Sequence, residues 1–172
     1  RLRRDYRPRL NEDDRLLSTD DLVARLAGAD ALLACHTERL DAAAIRRLPA
    51  SVRIVANYSV GVDHVDLAAA KARGLVVTNT PDVLSAATAE IALLLMLGAA
   101  RRASEGERLV RAGAWKSWSP TFMLGTQVCG RRLGIVGMGR VGQVFARLVR
   151  GLDMELHYYN RRRLPAEQAS GA

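Results

Sequence analysis

Leu133-Gly134-Ile135-Val136-Gly137-Met138-Gly139-Arg140-Val141-Gly142 decides the fold of this chain. An apolar run leads into a G-x-G-x-x-G fingerprint, and the fingerprint opens a stretch of helical pattern from Arg140 to Arg150. A second run, Glu155-Leu156-His157-Tyr158-Tyr159, follows as a strand. Strand, glycine turn, helix and strand in this order make a βαβ unit of the dinucleotide-binding kind. Gly137 permits the tight turn, Gly139 lets backbone approach a pyrophosphate, and Gly142 lets the helix pack closely on the strand. The phosphates are expected at the helix N-terminus, on free N–H groups and the positive dipole end. Arg140 adds a positive side chain beside them.

The end of the second strand reads the adenosine ribose, about 20 residues after the glycines, and NAD-specific units carry Asp or Glu there. This chain has Asn160, followed by Arg161, Arg162 and Arg163. A carboxylate would repel a 2′-phosphate and an amide does not, while Arg binds phosphate bidentately. The pattern favours NADP(H), with NAD(H) as the alternative cofactor.

The chain stops at Ala172, about one βαβ unit after the fingerprint, where a doubly wound nucleotide domain needs several more strands. It begins at Arg1 rather than Met. The expectation is therefore an incomplete copy, truncated at both ends. The tail from Pro165 is polar and is expected to lack a fixed structure.

Upstream, the pattern alternates strands and helices, which implies parallel pairing and an α/β fold. Ser18, with Asp21 three residues on, starts a helix that runs to Leu26 and stops at Gly28. Ala31 to Cys35 is a continuous apolar run, the pattern of a strand buried on both faces. Asp41 caps a short helix through Arg47, and Val52 to Ala56 is the next strand. Asp66 caps Leu67 to Arg73, Gly74 ends that helix, and Leu75 to Thr78 is a third strand. Thr80-Pro81-Asp82 breaks the alternation, and Ser85 is placed to cap a long apolar helix to about Arg102. Glu105 to Arg111 is a further helix ending near Gly113, and Trp115 to Gly125 reads as an ordered loop. Between the second strand and the Asp66 helix, Asn57-Tyr58-Ser59-Val60-Gly61-Val62-Asp63-His64 lies at a strand's C-terminal end, where open α/β sheets bind ligands. Gly61 leaves backbone N–H groups accessible there, which suits a small carboxylate; an ordinary turn is the alternative reading.

The 172 residues are 49% hydrophobic, enough for one or two small domains with cores. The net charge is +8, yet Lys occurs only at Lys71 and Lys116, and the Arg residues are scattered. No basic stripe interleaves with aromatics, so nucleic acid is not the expected partner. Cys35 and Cys129 are far apart, match no metal or redox spacing, and read as buried small hydrophobes in a reducing cytoplasm. The longest apolar run, Ile91 to Ala100, is too short to span a bilayer. No membrane association is expected.

Four segments together resemble one family: Ser59 to Asp66, Asn79-Thr80-Pro81-Asp82-Val83-Leu84, Thr88-Ala89-Glu90 on the long helix, and Gly137 to Gly142. They resemble the D-isomer-specific 2-hydroxyacid dehydrogenases over about residues 20 to 165. Within that family, Trp115-Lys116-Ser117-Trp118-Ser119-Pro120 with Gly125 is similar to the glyoxylate/hydroxypyruvate reductase, or D-glycerate dehydrogenase, branch. The resemblance implies a flavodoxin-like substrate domain over residues 1–100, lacking its first strand, and the start of a Rossmann domain over residues 101–172. It implies that the backbone of Val60 and Gly61 binds the substrate carboxylate. By the same resemblance Met138 to Val141 hold the pyrophosphate, and Asn160 to Arg162 the ribose and any 2′-phosphate. Trp118 matches a tryptophan that reaches the partner subunit's active site, which implies a homodimer; Trp115 reads as simple packing. The implied reaction is reduction of glyoxylate or hydroxypyruvate to the D-2-hydroxy acid. A phosphoglycerate or D-lactate type of dehydrogenase and a non-enzymatic, NAD(H)-sensing corepressor are the alternatives, and the Trp segment argues against the last. The family's catalytic Arg, Glu and His are expected beyond the end of this chain. His64 sits in the loop motif without being that histidine, His157 lies within a strand, and His36 follows a strand end.

Overall fold

The computed structural model describes residues 2–165. The polar tail expected beyond Pro165 lies outside the described residues. Two compact units divide the chain, one ending at Pro81 and the other beginning at Asp82.

The first unit opens with a single helical turn, α1 (Leu2–Asp5), in a segment that reads as irregular. It then runs α2 (Thr19–Arg25), β1 (Ala31–Cys35), α3 (Ala42–Arg47), β2 (Ile54–Tyr58), α4 (Leu67–Ala72) and β3 (Val76–Thr78). Three helix starts follow the expected chemistry. Ser18 Oγ accepts from the Asp21 N–H at 3.1 Å, Asp41 from Ala44 at 2.9 Å and Asp66 from Ala69 at 2.9 Å. Each satisfies an N–H that the helix itself cannot, at a gain of about 1 kcal/mol. Gly28 (φ +71°) and Gly74 (φ +70°) follow two of the helix ends in the left-handed region that glycine reaches without strain.

The strands are parallel in the order β1-β2-β3, with Leu32 opposite Val55 and Ala34 opposite Asn57. β2 begins two residues later than its apolar run predicts. Val52 is instead a buried residue of the turn before it, with its N–H donated to the Pro49 carbonyl. The core gathers Leu22, Leu32, Ile45, Val55, Val65 and Leu75 with their neighbours. Burying side chains of this size contributes about 1.5–3 kcal/mol each.

The expectation that Ala31 to Cys35 is buried on both faces does not hold: Leu32 and Ala34 are buried while Leu33 is exposed. Each crossover steps one strand in the same direction, and right-handed crossovers then place α3 and α4 on one face. Leu33, Tyr58 and Val76 lie on the other face, which the described residues leave open. Cysteine burial also differs from expectation. Cys129 is exposed and Cys35 half-buried.

The second unit contains α5 (Ser85–Ala100), α6 (Ala103–Arg111), β4 (Arg132–Val136), α7 (Arg140–Leu148) and β5 (Glu155–Tyr159). A 3-10 turn, Val149–Leu152, follows α7 directly. β4 and β5 pair in parallel, with Gly134 opposite His157 and Val136 opposite Tyr159. The compact units part after Pro81, with α5 packed on α7 and α6. Ser85 is the first helical residue rather than the cap: Leu84 occupies the cap position, and no side chain caps the helix. Between α5 and α6, Arg102 takes a left-handed conformation (φ +55°), and its Nε donates to Glu105 at 3.0 Å. That hydrogen bond holds the Glu105 carboxyl below the usual carboxylate range. The expected loop, Trp115 to Gly125, falls in the irregular segment between α6 and β4. Its Gly125 is obligatory, since a Cβ there would lie 2.7 Å from the Ala100 carbonyl oxygen.

Candidate functional site

At the end of β4, the three glycines of the fingerprint differ in why they are glycines. Gly137 has φ +100°, the left-handed region in which a side chain is strained. Gly142 is buried in the first turn of α7, and a Cβ on it would sit 2.6 Å from the Gly137 carbonyl oxygen. Gly139 has neither constraint. Its φ is −80°, at the cap position of α7, and a Cβ would meet nothing within 4 Å. It has no side chain to cap the helix. No side chain engages the first N–H groups of α7, and the space beside residue 139 is open. Free helix N–H groups, the dipole end and a cradle of that kind fit a dinucleotide pyrophosphate.

Two expectations about this loop change with the geometry. The Met138 N–H is already engaged: it donates to Asn160 Oδ1 at 2.7 Å, while the Met138 side chain is buried at 2% exposure. The helix N–H groups left for a phosphate are those of Arg140, Val141 and Gly142, since the Gln143 N–H already donates to the Gly139 carbonyl. The Arg140 side chain is not free beside the phosphates either, because its Nε pairs with Asp82 Oδ1 at 2.6 Å. Asp82 itself stands in a left-handed conformation (φ +67°). Sequence pattern gives no signal for that pairing, since 58 positions separate the two residues.

Asn160 closes β5 onto the fingerprint. Its Oδ1 accepts from Met138, so its Nδ2 is the group left to donate outward. Arg161 and Arg162 follow on an exposed stretch.

In the first unit, the loop after β2 is built from held carbonyls. The Ser59 carbonyl accepts from the Thr80 N–H at 3.0 Å. The Val60 carbonyl accepts from Asn79 Nδ2 at 2.8 Å, and the Gly61 carbonyl from Asn57 Nδ2 at 2.9 Å. A trans peptide points its N–H opposite to its C=O. Fixing three successive carbonyls thus turns the N–H groups of Val60, Gly61 and Val62 the other way. Gly61 is exposed and Val60 half-buried. Backbone N–H groups presented in this manner form a site for a small anion.

Asn57 is the residue that sequence reading missed as functional. It is 2% exposed and occupies an inward position of β2, next to Val55 in the inward alternation. A polar residue at an inward position of an apolar strand is the signal that marks it. His64 is half-buried, with Nε2 3.1 Å from Asn57 Oδ1.

The remaining histidines have local partners. His157 Nε2 lies 2.8 Å from Glu155 Oε1 on the surface of β5, and His36 Nδ1 lies 3.5 Å from Cys35 Sγ. Trp118 is 79% exposed. Trp115 is 56% exposed, so it is not the packed residue that was expected. Among the described residues no group of three metal-ligating side chains occurs, and no helix is long and apolar enough to cross a membrane.

The sequence pattern of the family described as D-isomer specific 2-hydroxyacid dehydrogenase, catalytic domain, matches residues 5–165. The chain belongs to the D-isomer-specific 2-hydroxyacid dehydrogenases. Among its relatives in that family, a glyoxylate reductase of Thermococcus kodakarensis is 44% identical over 165 residues, covering 93% of this chain and 49% of the relative. A glycerate dehydrogenase of Hyphomicrobium methylovorum is 39% identical over 163 residues, covering 95% of this chain and 51% of the relative. The solved structure of an NAD-binding D-isomer specific 2-hydroxyacid dehydrogenase from Polaromonas superposes with a TM-score of 0.91 at 45% identity, covering 99% of this chain and 54% of that one. The chain spans about half the length of the dehydrogenases it matches.

Proposed function

We propose that the protein carrying this chain reduces a small 2-keto acid, glyoxylate or hydroxypyruvate, to the D-2-hydroxy acid, with NADPH as the preferred cofactor. The observation that carries the reading is the loop after β2. Three tied carbonyls leave the N–H groups of Val60, Gly61 and Val62 as a donor set that fits a small anion such as a carboxylate. The names of the relatives, glyoxylate reductase and glycerate dehydrogenase, agree with a small 2-keto or 2-hydroxy acid.

Residues from Gly137 to Gly142 hold the pyrophosphate, through the free N–H groups at the start of α7. The bound dinucleotide supplies the hydride that the keto carbon accepts. Asn160 turns Nδ2 outward because its oxygen is engaged by Met138, so the group facing the ribose is a donor. A donor, followed by the exposed Arg161 and Arg162, favours a 2′-phosphate over a bare hydroxyl. No proton donor for the substrate oxygen is assigned to His36, His64 or His157.

The same protein works as a homodimer through the stretch from Ala99 to Gly125. Support comes from Val110, Trp115, Trp118 and Leu124, all exposed large side chains, and Trp is a favoured interface anchor. Trp118 would complete the substrate site of the partner subunit.

Turnover of glyoxylate by the full-length protein, compared with NADPH and NADH, tests the proposal. Arg161→Ala or Arg162→Ala is expected to raise KM for NADPH roughly tenfold, the size of one lost charge-assisted contact, and to spare NADH. Equal effects on both cofactors would overturn the assignment of these residues. Binding of NAD(H) without any turnover would favour a sensor over an enzyme. A monomer in light scattering at micromolar concentration would remove the dimer.

A further inference from the structure

We propose that His64, acting through Asn57, and Asn79 are positioning residues that set the affinity of the Ser59–Val62 loop for the substrate carboxylate. The proposal rests on the carboxylate reading of that loop given above. None of these three side chains is asked to touch the substrate.

The argument begins with Asn57. Its amide is enclosed, and the Gly61 carbonyl fixes which end faces which way, because a carbonyl accepts only from Nδ2. Oδ1 therefore faces His64 Nε2 at 3.1 Å. An amide oxygen only accepts, so His64 carries a proton on Nε2. The result is one directed chain: His64 donates to Asn57, Asn57 donates to the Gly61 carbonyl, and the Gly61–Val62 peptide presents its N–H on the opposite side. Donors in such a chain polarise one another, so each bond strengthens the next. Asn79 does the same for the Val60–Gly61 peptide, its Nδ2 donating to the Val60 carbonyl at 2.8 Å.

Removing His64 leaves the Asn57 oxygen enclosed with no donor. The amide is then held on one side only, and Nδ2 is no longer fixed on the Gly61 carbonyl. The Gly61–Val62 peptide loses its tether, and the N–H groups that grip the carboxylate lose their common aim. Such a change weakens a carboxylate ligand without touching the dinucleotide loop, which belongs to the other compact unit.

The test uses the full-length protein and three variants, with oxalate as an unreactive carboxylate probe beside glyoxylate turnover. His64→Ala is expected to raise KM for glyoxylate and Kd for oxalate together, roughly tenfold, with kcat and the KM for NADPH within about twofold of wild type. His64→Gln restores a donor near the position of Nε2 and should recover most of both losses. Asn79→Ala, at an exposed site where folding is not at stake, should raise the same two constants severalfold. If His64→Ala fails to fold, Asn79→Ala decides. A wild type that reduces glyoxylate with a KM indifferent to these changes would overturn the proposal. So would losses in kcat and both KM values together that Gln does not repair, since that is the mark of a merely structural histidine. A wild type that binds oxalate in a His64-dependent way but reduces nothing supports the positioning role and sinks the reductase reading. A wild type that neither binds nor reduces sinks both.

Discussion

Two loops in this molecule, each proposed above to bind an anion, are built by opposite means. Each follows the C-terminal end of a parallel strand. Beside each stands an asparagine that holds the loop. The loop after β4 obtains its donors from a helix that begins there, and glycine supplies the room: Gly137 turns the chain, and Gly142 lets α7 approach to where a Cβ would lie 2.6 Å from a carbonyl oxygen. The loop after β2 has no helix start within it. Its peptides are oriented instead by Thr80, Asn79 and Asn57, each of which holds one carbonyl. The asparagines differ accordingly. Asn160 accepts from its loop and keeps a donor for the ligand side, whereas Asn57 donates to its loop and needs His64 behind it. A glycine-built site is rigid and local. A tether-built site depends on side chains from other parts of the unit, and removing one should loosen it by degrees.

Mutation of the glycines should break the comparison most sharply. Gly142→Ala puts a methyl against the Gly137 carbonyl, backbone that cannot move aside without shifting α7. The expected cost is about 1–3 kcal/mol of stability together with loss of dinucleotide binding, as read by thermal unfolding and by NADPH fluorescence. A variant of native stability that still binds NADPH would show the close approach to be dispensable.

Gly139→Ala separates ligand room from fold room. Its Cβ meets nothing in the protein, and φ of −80° suits alanine. Stability should therefore change by no more than about 0.5 kcal/mol, while Kd for NADPH rises roughly tenfold or more as the methyl occupies the approach of the pyrophosphate. Unchanged affinity would mean that the phosphates lie elsewhere.

The smallest effect should come from Asp82→Asn. Arg140 and Asp82 pair on the surface, where such pairs contribute about 0–1 kcal/mol. Freeing Arg140 should improve NADPH affinity by roughly threefold or less, with the gain fading as salt is raised. A loss of affinity would mean that the pair holds the loop in its working shape rather than competing with the phosphates.

The legibility of the two loops follows the same division. The fingerprint was readable because each glycine answers a local demand of a strand–turn–helix path, and local demands leave residue types at fixed spacing. The helix caps Ser18, Asp41 and Asp66 were readable for the same reason. The loop after β2 could be singled out as a candidate by its place and by Gly61, but not by what holds it. Asn79 is brought to the loop by β2 pairing beside β3, and His64 by the loop folding back on Asn57; no spacing rule announces either. Arg140 offers the converse lesson. Its charge was legible and its partner was not, so a residue read as free for phosphate is engaged by Asp82.

Burial divides in the same way. The alternation of apolar runs and helix starts determined an α/β chain with parallel strands, and the fingerprint determined which strand begins the nucleotide-binding unit. Local geometry fixes these, because a helix cap or a tight turn needs particular atoms within a few residues. Tertiary structure decided that only one face of β1 is covered, that α5 belongs with α7, and that Trp115 and Cys129 are exposed. It also decided which N–H groups remain free at each loop. Those outcomes depend on the hand of the crossovers and on which side chains meet across strands, and both arise only when distant segments are packed together.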